Sequence, residues 1–172
     1  MSQEKPLVNR VAQSGLITIN LEEYFPPEEV LPFDLKDFLF KELLLKEKDF
    51  RAAMKAHDWS QYQDKVLAVF CSTDAIIPVW AYMLVTVYAT PHAAAVFQGT
   101  VEDYYRDAYQ RALGAIDPSR YEDERVIIKG CSDKPVPASA YVELTRRLRP
   151  HAKSIMYGEA CSTVPLYKKP RK

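Results

Sequence analysis

Three cysteines, each followed by serine, are the residues of this chain best suited to chemistry: Cys71-Ser72, Cys131-Ser132 and Cys161-Ser162. Thiolate is the form that binds metals and attacks electrophiles. A thiol placed between a strand and a helix lies near amide donors and the positive end of the helix dipole, both of which favour it. Three thiolates on one rim would supply three ligands of a tetrahedral zinc or iron centre, with histidine, carboxylate or water completing it. Glu102 is a candidate for the fourth place, because the spacing that carries Gly99 to Gly158 also carries Glu102 to Cys161. His57 and Asp74 are others. No C-x-x-C pair is present, so the geometry of a zinc knuckle is not expected. A cysteine nucleophile working without metal is a further form of the same chemistry. Against all of these stands a bland reading, in which a free cysteine packs as a small buried hydrophobe. The chain is then a non-enzymatic binding or scaffold module with cysteines in its core, and its duplicated halves form a homodimer or partner surface.

What would gather the cysteines is a repeat. Val66 to Gly99 lies over Val126 to Gly158 if one residue is dropped after the cysteine, and Cys71, Ser72, Pro78, Tyr82, Thr86, Pro91 and His92 meet Cys131, Ser132, Pro137, Tyr141, Thr145, Pro150 and His151. The match extends backwards, since Asp58, Ser60, Tyr62 and Asp64 pair with Asp117, Ser119, Tyr121 and Asp123. The period is 59 residues, giving repeat units at about 49–99 and 108–158 within a single domain, 1–172.

Alternating strands and helices build the repeat. Leu16 to Phe25 alternates apolar and polar residues and is expected as an N-terminal edge strand. Asp34 can cap a short helix through Leu35, Phe38 and Leu39, and Leu43–Leu45 read as a short buried strand. A helix over 47–57 buries Phe50, Ala53 and Met54. Buried strands are expected at Val66–Phe70, Ala94–Gln98, within RVIIKG, and at Ser154–Tyr157; helices at 78–89, 101–113 and 137–148. The fold class is α/β, a three-layer sandwich with a mainly parallel sheet. All three cysteines fall just past a strand's carboxyl end, the rim where open parallel sheets build sites.

Other residues take structural roles in this reading. His92 and His151 stand at helix ends, where a cation complements the dipole. Tyr82 and Tyr141 are expected in the core, each phenol with one partner. Glu47 and Arg51 face the rim and could orient a substrate carboxylate. Lys168, Lys169, Arg171 and Lys172 read as a frayed basic tail.

Bulk composition narrows the partners. Lysine plus arginine equals aspartate plus glutamate at 23 each, so nucleic acid and anionic membrane surfaces are not expected partners. The N-terminus has no apolar leader, which with an odd cysteine count points to a cytoplasmic protein with reduced thiols. Five glycines, none in a phosphate-binding pattern, disfavour a nucleotide fold; any small-molecule substrate is unspecified.

The motifs KEKDFR, HDWSQY, CSTDAIIPVWAYML, IKGCSDKPVPASAYVELT and SIMYGEACSTVPLYKK together resemble the bacterial domain-of-unknown-function family 2480. The resemblance runs from LVNRVAQSGLI to the final lysines. It implies no activity, cofactor or residue role.

Overall fold

Apolar runs bounded by Asp, Ser, Pro and Gly become the strands of the computed structural model, which describes residues 15–130 and 133–170. In chain order the elements are β1 (Leu16–Asn20), β2 (Val30–Asp34), α1 (Glu47–Ala56), β3 (Val66–Phe70), α2 (Val79–Ala89), β4 (Ala95–Gln98), α3 (Val101–Gly114), β5 (Arg125–Lys129), α4 (Ala138–Leu148), β6 (Ser154–Glu159) and β7 (Ser162–Lys168). Short 3-10 turns occupy Leu21–Tyr24, Leu35–Phe38, Trp59–Tyr62 and Pro118–Tyr121. The α/β class and the mainly parallel pairing stand as expected, but the strands fall into two sheets rather than one. No helix among the described residues is long and apolar enough to cross a membrane.

The chain divides into two compact units. One is Pro26–Asp107; the other joins the chain up to Phe25 with Ala108 onward. In the first, β2, β3 and β4 form a parallel sheet in that order. Its core is Phe33, Leu67 and Val69 from the sheet, Phe50 and Met54 from α1, and Ala81, Val85 and Ala89 from α2. Phe50 and Met54 are four residues apart, so one face of α1 supplies both.

In the second unit the order is β1-β5-β6-β7, with β1 the expected N-terminal edge strand and β7 antiparallel to β6. Ile19, Val126, Ile128 and Ile155 pack there against Leu144 and Leu148 of α4 and Tyr109 and Leu113 of α3. The buried Tyr109 hydroxyl donates to the Leu21 carbonyl at 3.0 Å, and burial pushes its pKa up to about 12.

The two units share local structure at one spacing. Elements β3, α2 and β4 and the turn at Trp59 begin 59 residues before β5, α4, β6 and the turn at Pro118. Asp64 and Asp123 both take left-handed backbone, φ 61° and 56°, and their amides donate to the carbonyls of His92 and His151.

Four expectations need correction, and one strand was not foreseen. The strand expected over Leu16–Phe25 stops at Asn20, whose side chain accepts from the Glu22 amide and starts a 3-10 turn. The segment around Pro32, for which the sequence suggested no element, is a strand, tolerated because among the described residues β2 is paired on one side only. Leu43–Leu45 is no buried strand: Lys41 and Glu42 turn left-handed, and Leu43 and Leu44 are 72% and 58% exposed, leaving only Leu45 buried. Strand β4 is present but not buried, with Ala95 and Gln98 exposed at the sheet's edge. Finally, the C-terminal residues are not frayed throughout. Lys168 belongs to β7, and the Lys169 ammonium holds Asp123 at 2.7 Å; Arg171 and Lys172 lie outside the described residues.

Candidate functional site

Each cysteine must be placed separately. Cys71 directly follows β3, as expected; it is half-buried against the core of its unit, with Sγ 3.3 Å from the Thr73 hydroxyl. Its loop is held by Asp34, whose carboxylate accepts from the Ser72 amide at 3.0 Å and the Lys36 amide at 2.9 Å. Burial alone would raise the Asp34 pKa. Hydrogen bonds from Ser72 and Lys36 outweigh it and hold the carboxyl below its ordinary value.

Cys161 is exposed, in the turn joining β6 to β7, so it precedes a strand and not a helix. It belongs to the other unit. Cys131, with Ser132, lies outside the described residues. Glu102 is exposed in the first turn of α3, where Asp103 and not Glu102 makes the reciprocal cap with Thr100. Asp74 is exposed in the loop before α2. Among the described residues no group of three or more His, Cys, Asp or Glu side chains could hold a metal ion.

Tyr82 and Tyr141 pack, half-buried, against the cores of their units, as expected. Tyr141, half-buried on α4, donates its hydroxyl to the carbonyl of Gly130, the residue after β5. Its counterpart Tyr82 has a phenol pKa raised by burial and by the neighbouring Cys71.

His57 is held among rings. Its centroid is 4.8 Å from Trp59, 5.4 Å from Phe33 and 5.7 Å from Tyr62, and its Nε2 is 2.9 Å from the Tyr62 hydroxyl. Burial lowers its pKa, against the pull of Asp58. A histidine kept neutral by the fold binds its proton more readily when unfolded. Its stabilising contribution is therefore complete above the unfolded pKa of about 6.5 and lost as pH falls towards the lower folded value. The melting temperature should therefore drop as pH falls below about 6.5, and His57→Gln should flatten that slope. Equal slopes in the two proteins would contradict the assignment.

The remaining residues are structural. The ring of His151 pairs with Glu122 at 2.8 Å, while its own amide closes the end of α4 through the Leu148 carbonyl. His92 repeats that backbone bond after α2, through Ala89. Glu47 and Arg51 pair with each other at 2.9 Å on an exposed helix face.

The pronounced concavity at a carboxyl rim is one the sequence did not announce. Between α4 and the β6–β7 hairpin lies an open cavity of about 430 Å³, walled by Ile128, Val136, Tyr141, Thr145, Tyr157 and Leu166. Two of its rings, Tyr141 and Tyr157, meet edge to face at 5.8 Å. Its outer wall is β7, a strand whose alternation in STVPLYK is interrupted by Pro165 opposite a register shift at Ile155/Met156. The alternation of Val164 and Leu166 was the available signal.

No curated protein and no solved structure matches this chain. A family described as a protein of unknown function, DUF2480, matches residues 5–169, nearly the whole length. The chain belongs to the DUF2480 family.

Proposed function

We propose that this chain is a non-enzymatic binding module whose ligand occupies the cavity between α4 and the β6–β7 hairpin. The cavity itself carries the reading: about 430 Å³ falls within the range of small-molecule pockets, and its walls are mostly aliphatic and aromatic. Its walls include Ile128 near the carboxyl end of β5 and the first turns of α4, and ligands of parallel sheets gather at such carboxyl ends. Thr145, Tyr141 and Tyr157 are the lining residues that carry hydroxyls, and the Tyr141 hydroxyl is already held by the Gly130 carbonyl. The fitting class is a small molecule with one or two aromatic rings and a single hydrogen-bonding group.

We also infer that the two units descend from one duplicated unit, on the support of their common 59-residue spacing. The strand β7, which has no counterpart after β4, then walls the cavity in one unit alone. Zinc, iron or thiol chemistry at Cys71, Cys131, Cys161 and Glu102 lacks a comparable support, since no ligand group forms among the described residues.

Titrating isotope-labelled protein with 2-naphthol and following amide resonances tests the reading. Shifts should saturate and cluster on Val136, Thr145 and Leu166, and Leu166→Arg should abolish them. Absent shifts, or shifts centred elsewhere, would overturn it.

A further inference from the structure

Strand β4 ends its sheet, and among the described residues no strand lies on its outer side. Its counterpart β6 carries β7 in that position, paired antiparallel. Natural edge strands are usually guarded by proline or charge. The edges β2 and β7 contain Pro32 and Pro165, whereas β4, AVFQ, has neither proline nor charge. The edge strand β1 shares that lack. What sets β4 apart is the helix beside it.

Helix α2 packs on β4 and contains no charged residue in eleven. Its inner face fills the core with Ala81, Val85 and Ala89. Its outer face is apolar too: Val79, Met83 and Val87, at successive four-residue steps, are 74%, 63% and 68% exposed. Ile76, just before the helix, is 92% exposed. Helices apolar on all sides belong in interiors. The matching helix α4 has Ala138, Val142 and Arg146 on that stripe, and Arg146 pairs with Glu143 in solvent. An uncharged stripe on one helix and a charged one on its counterpart mark a face that is covered in only one of them.

We propose that the chain forms a two-fold dimer in which β4 pairs antiparallel with β4 of a second copy, while the two α2 stripes pack together. Identical edges satisfy each other's backbone groups when related by a two-fold axis, giving a continuous six-stranded sheet. A second copy fits better than a charged partner, because α2 and β4 offer no charge for one to neutralise. The position of β7 on β6 shows that this fold accepts an antiparallel strand there. This proposal is independent of the cavity reading.

Light scattering on the full chain at tens of micromolar tests it. The wild type should have the mass of two chains, Met83→Glu the mass of one with an unchanged circular dichroism spectrum, and Val142→Glu on α4 should remain dimeric. Amide exchange across Ala95–Gln98 should slow about tenfold as wild-type concentration rises through the dimer range, a readout needing no variant. A monomeric wild type, a dimeric Met83→Glu, dissociation by Val142→Glu, or exchange at β4 independent of concentration would each overturn it.

Discussion

Trp59→Ala is expected to lower the stability of the Pro26–Asp107 unit by about 3–5 kcal/mol, the usual range for removing a buried aromatic side chain. Trp59 is only 6% exposed. Its ring lies 5.5 Å from Phe33 and 5.9 Å from Tyr88, nearly parallel to both, and 4.8 Å from His57. Its indole N–H also donates at 2.8 Å to the carbonyl of Met54, in the last turn of α1. Helix carbonyls there have no partner of their own, so the side chain caps one helix while filling the core behind it. Trp59→Phe separates the two contributions: it keeps an aromatic ring and forfeits the hydrogen bond, for a loss nearer ~1 kcal/mol. Urea unfolding measures both. A Trp59→Ala loss below that of Trp59→Phe would contradict the placement.

Gly130→Ala should be nearly as damaging in the other unit. Gly130 has φ 146°, a conformation that L side chains rarely adopt. An added methyl would stand 2.9 Å from Leu21 Cβ and 3.3 Å from both the Leu21 amide and the Tyr141 hydroxyl. Leu21 is fully buried, and Tyr141 is committed to the Gly130 carbonyl, so neither neighbour gives way cheaply. The backbone cost alone is about 1–3 kcal/mol. Gly114→Ala has the opposite expected sign. It closes α3, nothing lies within 4 Å of its missing Cβ, and alanine should gain about 0.5–1 kcal/mol there. Denaturation midpoints moving in the same direction for the two substitutions would refute the comparison.

Sequence patterns revealed those features that depend on local composition. The buried strand VLAVF and the helix with Phe50 and Met54 on one face are legible because burial itself dictates the pattern. The Asp34 turn is legible because an aspartate two residues ahead of a needy amide has an evident partner. Leu43–Leu45 misleads for the converse reason. Three leucines suggest burial, yet the left-handed pair Lys41 and Glu42 turns the chain out, and neither residue type advertises that conformation. Prolines concealed β2 and β7, and with β7 went the outer wall of the cavity. The cysteine reading placed Cys71 and Cys161 correctly just past the ends of strands, but the two belong to different units and the strand that follows Cys161 was missed. Residue spacing shows which residues correspond, not which of them converge.

Binding in the cavity is tested most directly by calorimetric titration with 2-naphthol of four proteins: wild type, Val136→Trp, Cys71→Ser and Cys161→Ser. The expected result is one saturable site per chain that disappears when tryptophan fills the space beside Tyr141 and persists when either sulfur is removed. Binding that survives Val136→Trp, or that vanishes with a cysteine, would place the working site elsewhere and contradict the proposal.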